Sequence, residues 1–415
     1  MFKKIILILL TILSITPMFA RASMGSLVKI GNKYYETFEE AIKYATNNDT
    51  ITLISDVKLN DSIKIDKVIN INLNGNDITA PTKVFEVDGG FLTITGTGTI
   101  KETEPNYGVI MVKGKTEPTN KTYSGVSIGK NVTLEGWSGI FINHNSGKAY
   151  GVNVNLDGKI NAINDTDGGA GTGVYVNGNI KNQDAPTVNI SDTAKITSTG
   201  SGLYIAGNST FNIGKAEIKG VESGIGIKSG TLKINGATIY ATGKDNTPTE
   251  GYNDGIKASG TTIQIESNNG YAGNININIQ DGTFKSKNSN VIYEYIGSGT
   301  NTQVKSINIS GGKYISDANK ETLLFSNQFD NKHKEFISGG TYSSNPNKYL
   351  ESGYTTTLNN NLYNVTKSAM KEVTSDSIDT TKKNNKILPI TIIITIVLLV
   401  IAYFNRLKIL NFLKK

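Results

Sequence analysis

Between Gly202 and Thr242 the chain repeats itself: GLYIAGNSTFNIGKAEIKGVES is followed directly by GIGIKSGTLKINGATIYAT. Each copy opens on Gly and alternating apolar residues, Leu203 and Ile205 in the first, Ile225 and Ile227 in the second. A short Gly/Asn/Ser turn leads into a second alternating run, Phe211, Ile213 and Ile218, then Leu232, Ile234 and Ile239. Alternation with a period of two sends one side chain inward and the next outward, so each run reads as a short half-buried strand. Two or three such strands recurring at a fixed interval bury their apolar faces only by stacking, which predicts a β-solenoid.

The same opening recurs along the chain at Gly108-Val109-Ile110, Gly139-Ile140-Phe141, Gly173-Val174-Tyr175, Gly202-Leu203-Tyr204, Gly224-Ile225-Gly226 and Gly255-Ile256-Lys257. The second run recurs at Val188/Ile190/Ile196, Ile277/Ile279/Phe284 and Ile307/Ile309/Tyr314. Uneven spacing between openings places loop insertions at Lys115–Tyr123, Asn164–Thr172, Gly243–Asp254, Ser267–Gly273 and Gly297–Gln303. Gly and Asn between the runs suit tight corners, where they tolerate positive φ. Upstream, Thr37-Phe38-Glu39-Glu40 is a capping box, and Phe38, Ala41, Ile42 and Ala45 share one helical face. One amphipathic helix ahead of a solenoid is expected to cap its apolar end.

The two ends address the chain. Lys3 and Lys4 precede an apolar run from Ile5 to Ile15, and Ala20-Arg21-Ala22 offers an A-x-A site, so residues 1–22 read as a secretory signal peptide. Ile387 to Phe404 are apolar over about 27 Å of helix, enough to span a bilayer, and a basic tail follows at 406–415. The expected order is therefore a signal (1–22), a helical cap (23–50), a solenoid (51–365), a polar stalk (366–386), a transmembrane helix (387–405) and a cytoplasmic tail (406–415). The formal charge of +7 belongs to these ends: without their ten cations, 32 Lys face 35 acidic residues, a net of −3. Nucleic-acid binding needs a basic face on the body, and none is expected. With no Cys, disulfides, thiolate nucleophiles and Cys-based metal sites are excluded.

YETFEEAIKYATNNDTITLISDVKLNDSIKIDKVININLNGNDIT and ISGGTYSSNPNKYLESGYTTTLNNNLYNV resemble the opening and closing segments of pectin-lyase-like β-helix surface and adhesin-like proteins of Gram-positive-type bacteria. The resemblance implies an all-β, right-handed, single-stranded parallel β-helix displayed on the cell envelope in an adhesive role. Many such proteins end in a sortase signal. The nearest match here, Leu388-Pro389-Ile390-Thr391-Ile392, carries Ile where Gly is expected.

Catalytic signals are sparse. Lyases of the resembling fold pair Ca²⁺-binding carboxylates with an Arg or Lys base, and between residues 22 and 405 there is no Arg. The Asp-Asp pair and Gly-His-Gly segment of the hydrolases are also absent. An inverting hydrolase needs only two carboxyls at suitable separation, which leaves Glu222, Glu250 and Asp254 as candidates beside the simpler reading of solvated turn acids. The two histidines, His144 and His333, read as surface residues. Asp165-Thr166-Asp167-Gly168 has hard ligands at Ca²⁺-loop spacing without the distal Glu, so Asp165 and Asp167 are a weak Ca²⁺ candidate against a polar turn. No other cofactor is expected. With Leu203 and Ile205 inward, Tyr204 points outward, and the same parity sends Ile110, Phe141, Tyr175 and Lys257 outward in successive coils. Stacked about 4.8 Å apart, they would form a column able to bind an extracellular glycan or a host or neighbouring-cell protein. The competing reading is a ladder that merely steadies the stacking.

Overall fold

The computed structural model describes residues 25, 27–106, 108–114, 124–143, 151–163, 169–177, 185–245, 259–271, 273–298 and 301–369. The expected signal peptide, transmembrane segment and tail lie outside them. No helix among the described residues is long and apolar enough to cross a membrane.

The chain is an all-β, solenoid-like stack of parallel strands. Strands recur in threes: one enters a ten-stranded sheet and the next two enter a 23-stranded sheet. Thus Ser201–Ile205 joins the smaller sheet, while Thr210–Ile213 and Glu217–Gly220 join two ladders of the larger one. The pattern then repeats with Ser223–Ile227 and the long strand Gly230–Ala241, which serves both ladders. Each strand pairs with its equivalent one coil away, so like residues stack on like. One inward ladder runs Ile69, Leu92, Val126, Val154, Val188, Phe211, Leu232, Ile277 and Ile307 in unbroken parallel register. All are buried in one continuous core. Burying one such aliphatic side chain contributes about 1.5–3 kcal/mol, and every coil brings several.

Four of the recurring glycines face this core. A β-carbon on Gly139, Gly173, Gly202 or Gly224 would meet Cγ2 of Ile160, Ile196, Ile218 or Ile239 at 2.3–2.5 Å. None of the four has a positive φ. Close packing of facing sheets, rather than turn geometry, is what requires glycine there.

The N-terminal helix forms as the capping box predicts. Phe38–Tyr44 begins behind Thr37, whose Oγ1 accepts the Glu40 N–H at 3.1 Å. Phe38, Ala41 and Ala45 are buried in the solenoid core, and Lys67 Nζ donates to the carbonyls of Ile42 and Ala45 at the helix C-terminus. Two strands not anticipated within the cap, Val28–Ile30 and Lys33–Tyr35, pair antiparallel, and the first also lies antiparallel to Thr50–Leu53. At the other end the last parallel pairing is Thr341–Tyr342 with Lys313–Ser316. The antiparallel hairpin Tyr354–Asn359/Leu362–Lys367 follows, so the closing strand runs two residues into the expected stalk. A second helix, Asn327–Lys332, also went unforeseen because it spans less than two turns.

Candidate functional site

The long connections are unevenly placed. Between the two ladders of the larger sheet no turn exceeds residues 73–77. By contrast, the segments 114–124, 144–152 and 177–186 all leave the ends of consecutive ten-stranded-sheet strands, Ile110–Lys113, Ser138–Asn143 and Thr172–Val176. Segments 269–274 and 299–303 leave the ends of later strands of that sheet, and 163–171 and 242–260 lead into it. The ten-stranded sheet is therefore the decorated side of the fold.

Its outward face carries one register column with a residue from each coil: Lys64, Glu86, Met111, Phe141, Tyr175, Tyr204, Gly226, Gln264, Tyr293 and Leu324. Phe141, Tyr175 and Tyr204 stand where parity placed them, with successive ring centroids 4.7 Å apart. They are not an exposed strip, however. Phe141 is 9 % exposed, Tyr175 8 % and Tyr204 2 %, and with Met111, Trp137 and Ala206 they form a second apolar cluster against which Tyr271 packs.

One column member expected from the sequence is displaced. Ile110 pairs with Ile140 and points into the main core, leaving the outward place to Met111. Gly108 thus sits opposite Ser138 rather than Gly139, and a one-residue slip exchanges the faces. Lys257 lies outside the described residues, and the strand paired with Ser223–Ile227 is Thr261–Asn268, so Gln264 is the register partner of Gly226.

The column changes character along its length. At its start Glu86 lies between Lys83 and Lys113, 2.5 and 2.7 Å away. Burial alone would raise its carboxyl, but the hydrogen bonds from Lys113 and Lys83 outweigh it and hold it below the usual range. Beyond the aromatic centre comes a buried polar cluster that sequence reasoning missed. Lys228 Nζ lies 3.0 Å from Glu266 Oε2, the side chains being 6 % and 5 % exposed. Glu266 also accepts from Tyr295 Oη at 2.7 Å and from Asn268 Nδ2 at 2.8 Å. Lys228 Nζ sits 4.9 Å from the Tyr271 ring centroid and 5.5 Å from that of Tyr204. Burial, and then the Glu266 charge, push the Tyr295 phenol far above its ordinary value, so it stays neutral and donates its hydrogen bond to Glu266. Every charge in the cluster is already matched within it. Such an arrangement orients and stabilises.

The column ends beside a depression of about 160 Å³ lined by Asp245, Ser259, Tyr293, Lys320 and Leu324, among others. Ser259 Oγ donates to Gln264 Oε1 at 2.7 Å, and Asp245 pairs with Lys320. Burial would raise the Asp245 carboxyl, but hydrogen bonds from Lys320 and Ser289 bring it below the usual value.

Of the remaining candidates, His333 and Glu222 fall among the described residues. His333 caps the helix Asn327–Lys332, its Nε2 2.8 Å from the Val304 carbonyl and its ring packed on Phe329. His144, Glu250, Asp254, Asp165 and Asp167 lie outside the described residues. No group of three potential metal-ligating His, Cys, Asp or Glu occurs among the described residues. Lys228, Glu266 and Tyr295 were not singled out in the sequence; their parity relative to the inward Ile227, Ile265 and Ile292 is the signal that could have found them. Only the register of Thr261–Asn268 brings them together.

No family model, curated protein or solved structure matches the chain.

Proposed function

We propose that the chain is a cell-surface protein of pectin-lyase-like type, a right-handed parallel β-helix secreted by its signal peptide and held by its C-terminal helix. It binds an extracellular glycan or a host or neighbouring-cell protein, without catalysis, through the decorated flank of the ten-stranded sheet. The observation that carries this reading is the crowding of long insertions on that flank, against turns of at most residues 73–77 between the two ladders of the larger sheet. In stacked-repeat proteins, insertions on one side commonly build the binding face. The matched charges of the Lys228–Glu266–Tyr295 cluster support binding over cleavage.

Cells displaying the full chain should adhere to a glycan array or to other cells. Cells displaying a variant with segments 115–123, 144–150 and 178–184 cut to short Gly-Ser turns should not. Equal adhesion by the two would remove the reading. Release of unsaturated products or new reducing ends from pectins, alginate or hyaluronan by the same cells would establish the competing reading of an anchored polysaccharide-cleaving enzyme.

A further inference from the structure

The larger sheet carries its own outward column: Asn70, Thr93, Ser127, Asn155, Asn189, Asn212, Lys233, Asn278 and Asn308. Its asparagines join head to tail. Asn189 Nδ2 donates to Asn155 Oδ1 and Asn212 Nδ2 to Asn189 Oδ1, both at 2.9 Å, and Asn308 Nδ2 donates to Asn278 Oδ1 at 3.3 Å. Between Asn155 and Asn308 the ladder is interrupted once, by Lys233.

Three observations coincide at the interruption. A depression of about 260 Å³ opens there, lined by Asn212, Lys233, Asn235, Asn278 and Gln280 among others. The parallel register slips around Asn235, leaving Gln280 and Gly236 unopposed, with Gly236 at φ 96°. A bulge of this kind re-aims a side chain, here Gln280, toward the depression. Finally, among the described residues the exposed Lys233 makes no ion pair, Asn212 Oδ1 accepts no protein hydrogen bond and Asn278 Nδ2 donates none. On adjoining turns, Asp192 Oδ1 accepts the Lys215 N–H and Asp281 Oδ1 accepts the Gly282 N–H.

We propose that this break in the asparagine ladder binds one carboxylated sugar residue, its carboxylate on Lys233 and its hydroxyls on the surrounding amides. Lys supplies only donors, so an anion satisfies it, whereas amide oxygens need a hydroxyl or amine to donate to them. A bare anion meets the first requirement and a neutral sugar the second. A sugar acid meets both. The volume lies below the usual span for ligand pockets of about 300–1,000 Å³, which fits a single ring and not an oligosaccharide. The site lies on the larger sheet, so its failure would leave the role proposed for the decorated flank untouched.

The test is ligand-observed saturation-transfer NMR on the full-length chain in detergent micelles, with methyl glucuronoside, methyl glucoside and acetate as probes. Methyl glucuronoside should bind with a Kd on the order of 1 mM, an affinity of about 4 kcal/mol. The glucoside and acetate should each bind about tenfold or more weakly, a difference of about 1.4 kcal/mol. Lys233→Gln should lose a similar factor for the glucuronoside, Lys233→Arg should retain binding, and Lys159→Gln, on another ladder, should leave it unchanged. Equal binding of glucoside and glucuronoside, an unaffected Lys233→Gln, or no glucuronoside binding at ~10 mM, where such a Kd fills most sites, would overturn the proposal.

Discussion

A β-carbon on Gly202 would lie 2.4 Å from Cγ2 of Ile218 and 2.6 Å from the Gly224 carbonyl oxygen. Glycine is required by this closeness across the core, and the same contact recurs between Gly173 and Ile196. Gly202→Ala should therefore destabilise the chain by about 1–3 kcal/mol, the usual cost of overpacking. Adding Ile218→Val should recover part of the loss, because it makes room on one side while the carbonyl stays. Denaturant midpoints for the two single variants and the double variant measure that coupling. Strict additivity would show that the contact is not the cause.

This contact shows what was legible and what was not. Apolar alternation around Gly202 and Gly224 identified strands, inward faces and the stacking of like on like, because a parallel ladder repeats its chemistry. The reason for glycine was hidden, since a distance across the core has no trace in one coil. The expected register failed at two openings. At Gly108 a single residue exchanged Ile110 for Met111, and before Thr261 a long insertion made Gly255 look like an opening. Parity predicted the direction of Tyr175 and Tyr204 correctly, but it carries no information about what lies over an outward face. The Lys228–Glu266 pair and the Lys233 depression were invisible for a related reason: each joins residues from different coils.

Because Tyr175 packs between Phe141 and Tyr204, the aromatic column is expected to act in stability. Tyr175→Ala should cost about 3–5 kcal/mol, as for other buried aromatic truncations. Tyr175→Phe keeps the ring and should cost much less. Thermal unfolding of the two variants checks this. A Tyr175→Ala variant with unchanged stability would instead return the column to the role of a ligand surface.

The Lys228–Glu266 pair predicts a reversal of sign on double substitution. Lys228→Met strands a carboxylate that is 5 % exposed, and removing one partner of a buried pair costs about 3–5 kcal/mol. Glu266→Leu strands the ammonium and should cost a comparable amount. The double variant Lys228→Met/Glu266→Leu removes both charges, and hydrophobic replacements of such pairs are often neutral, so it should be more stable than either single variant. Denaturant unfolding of the four proteins decides the matter, and simple addition of the two losses would contradict it.

Alkaline pH should unfold the C-terminal coils through their stacked tyrosines. Tyr314 and Tyr342 lie 4.7 Å apart with rings 5° from parallel, and their hydroxyls donate to the Gly311 and Gly339 carbonyls. Burial drives both phenols well above the ordinary value, and for Tyr314 the neighbouring Tyr342 and Asp281 add to the effect. In the unfolded chain a tyrosine ionises near pH 10, so the folded state favours the neutral phenol. The resulting stabilisation is fully present below about pH 10 and is lost progressively as pH rises beyond it. Tyrosinate absorbance should therefore rise in two stages, exposed tyrosines near their ordinary value and the stacked pair only as circular dichroism reports unfolding. Tyr342→Phe should shrink the second stage and move alkaline unfolding to higher pH. A single tyrosinate transition near pH 10, with the fold intact, would show that these phenols are open to solvent and that the stack does not couple pH to stability.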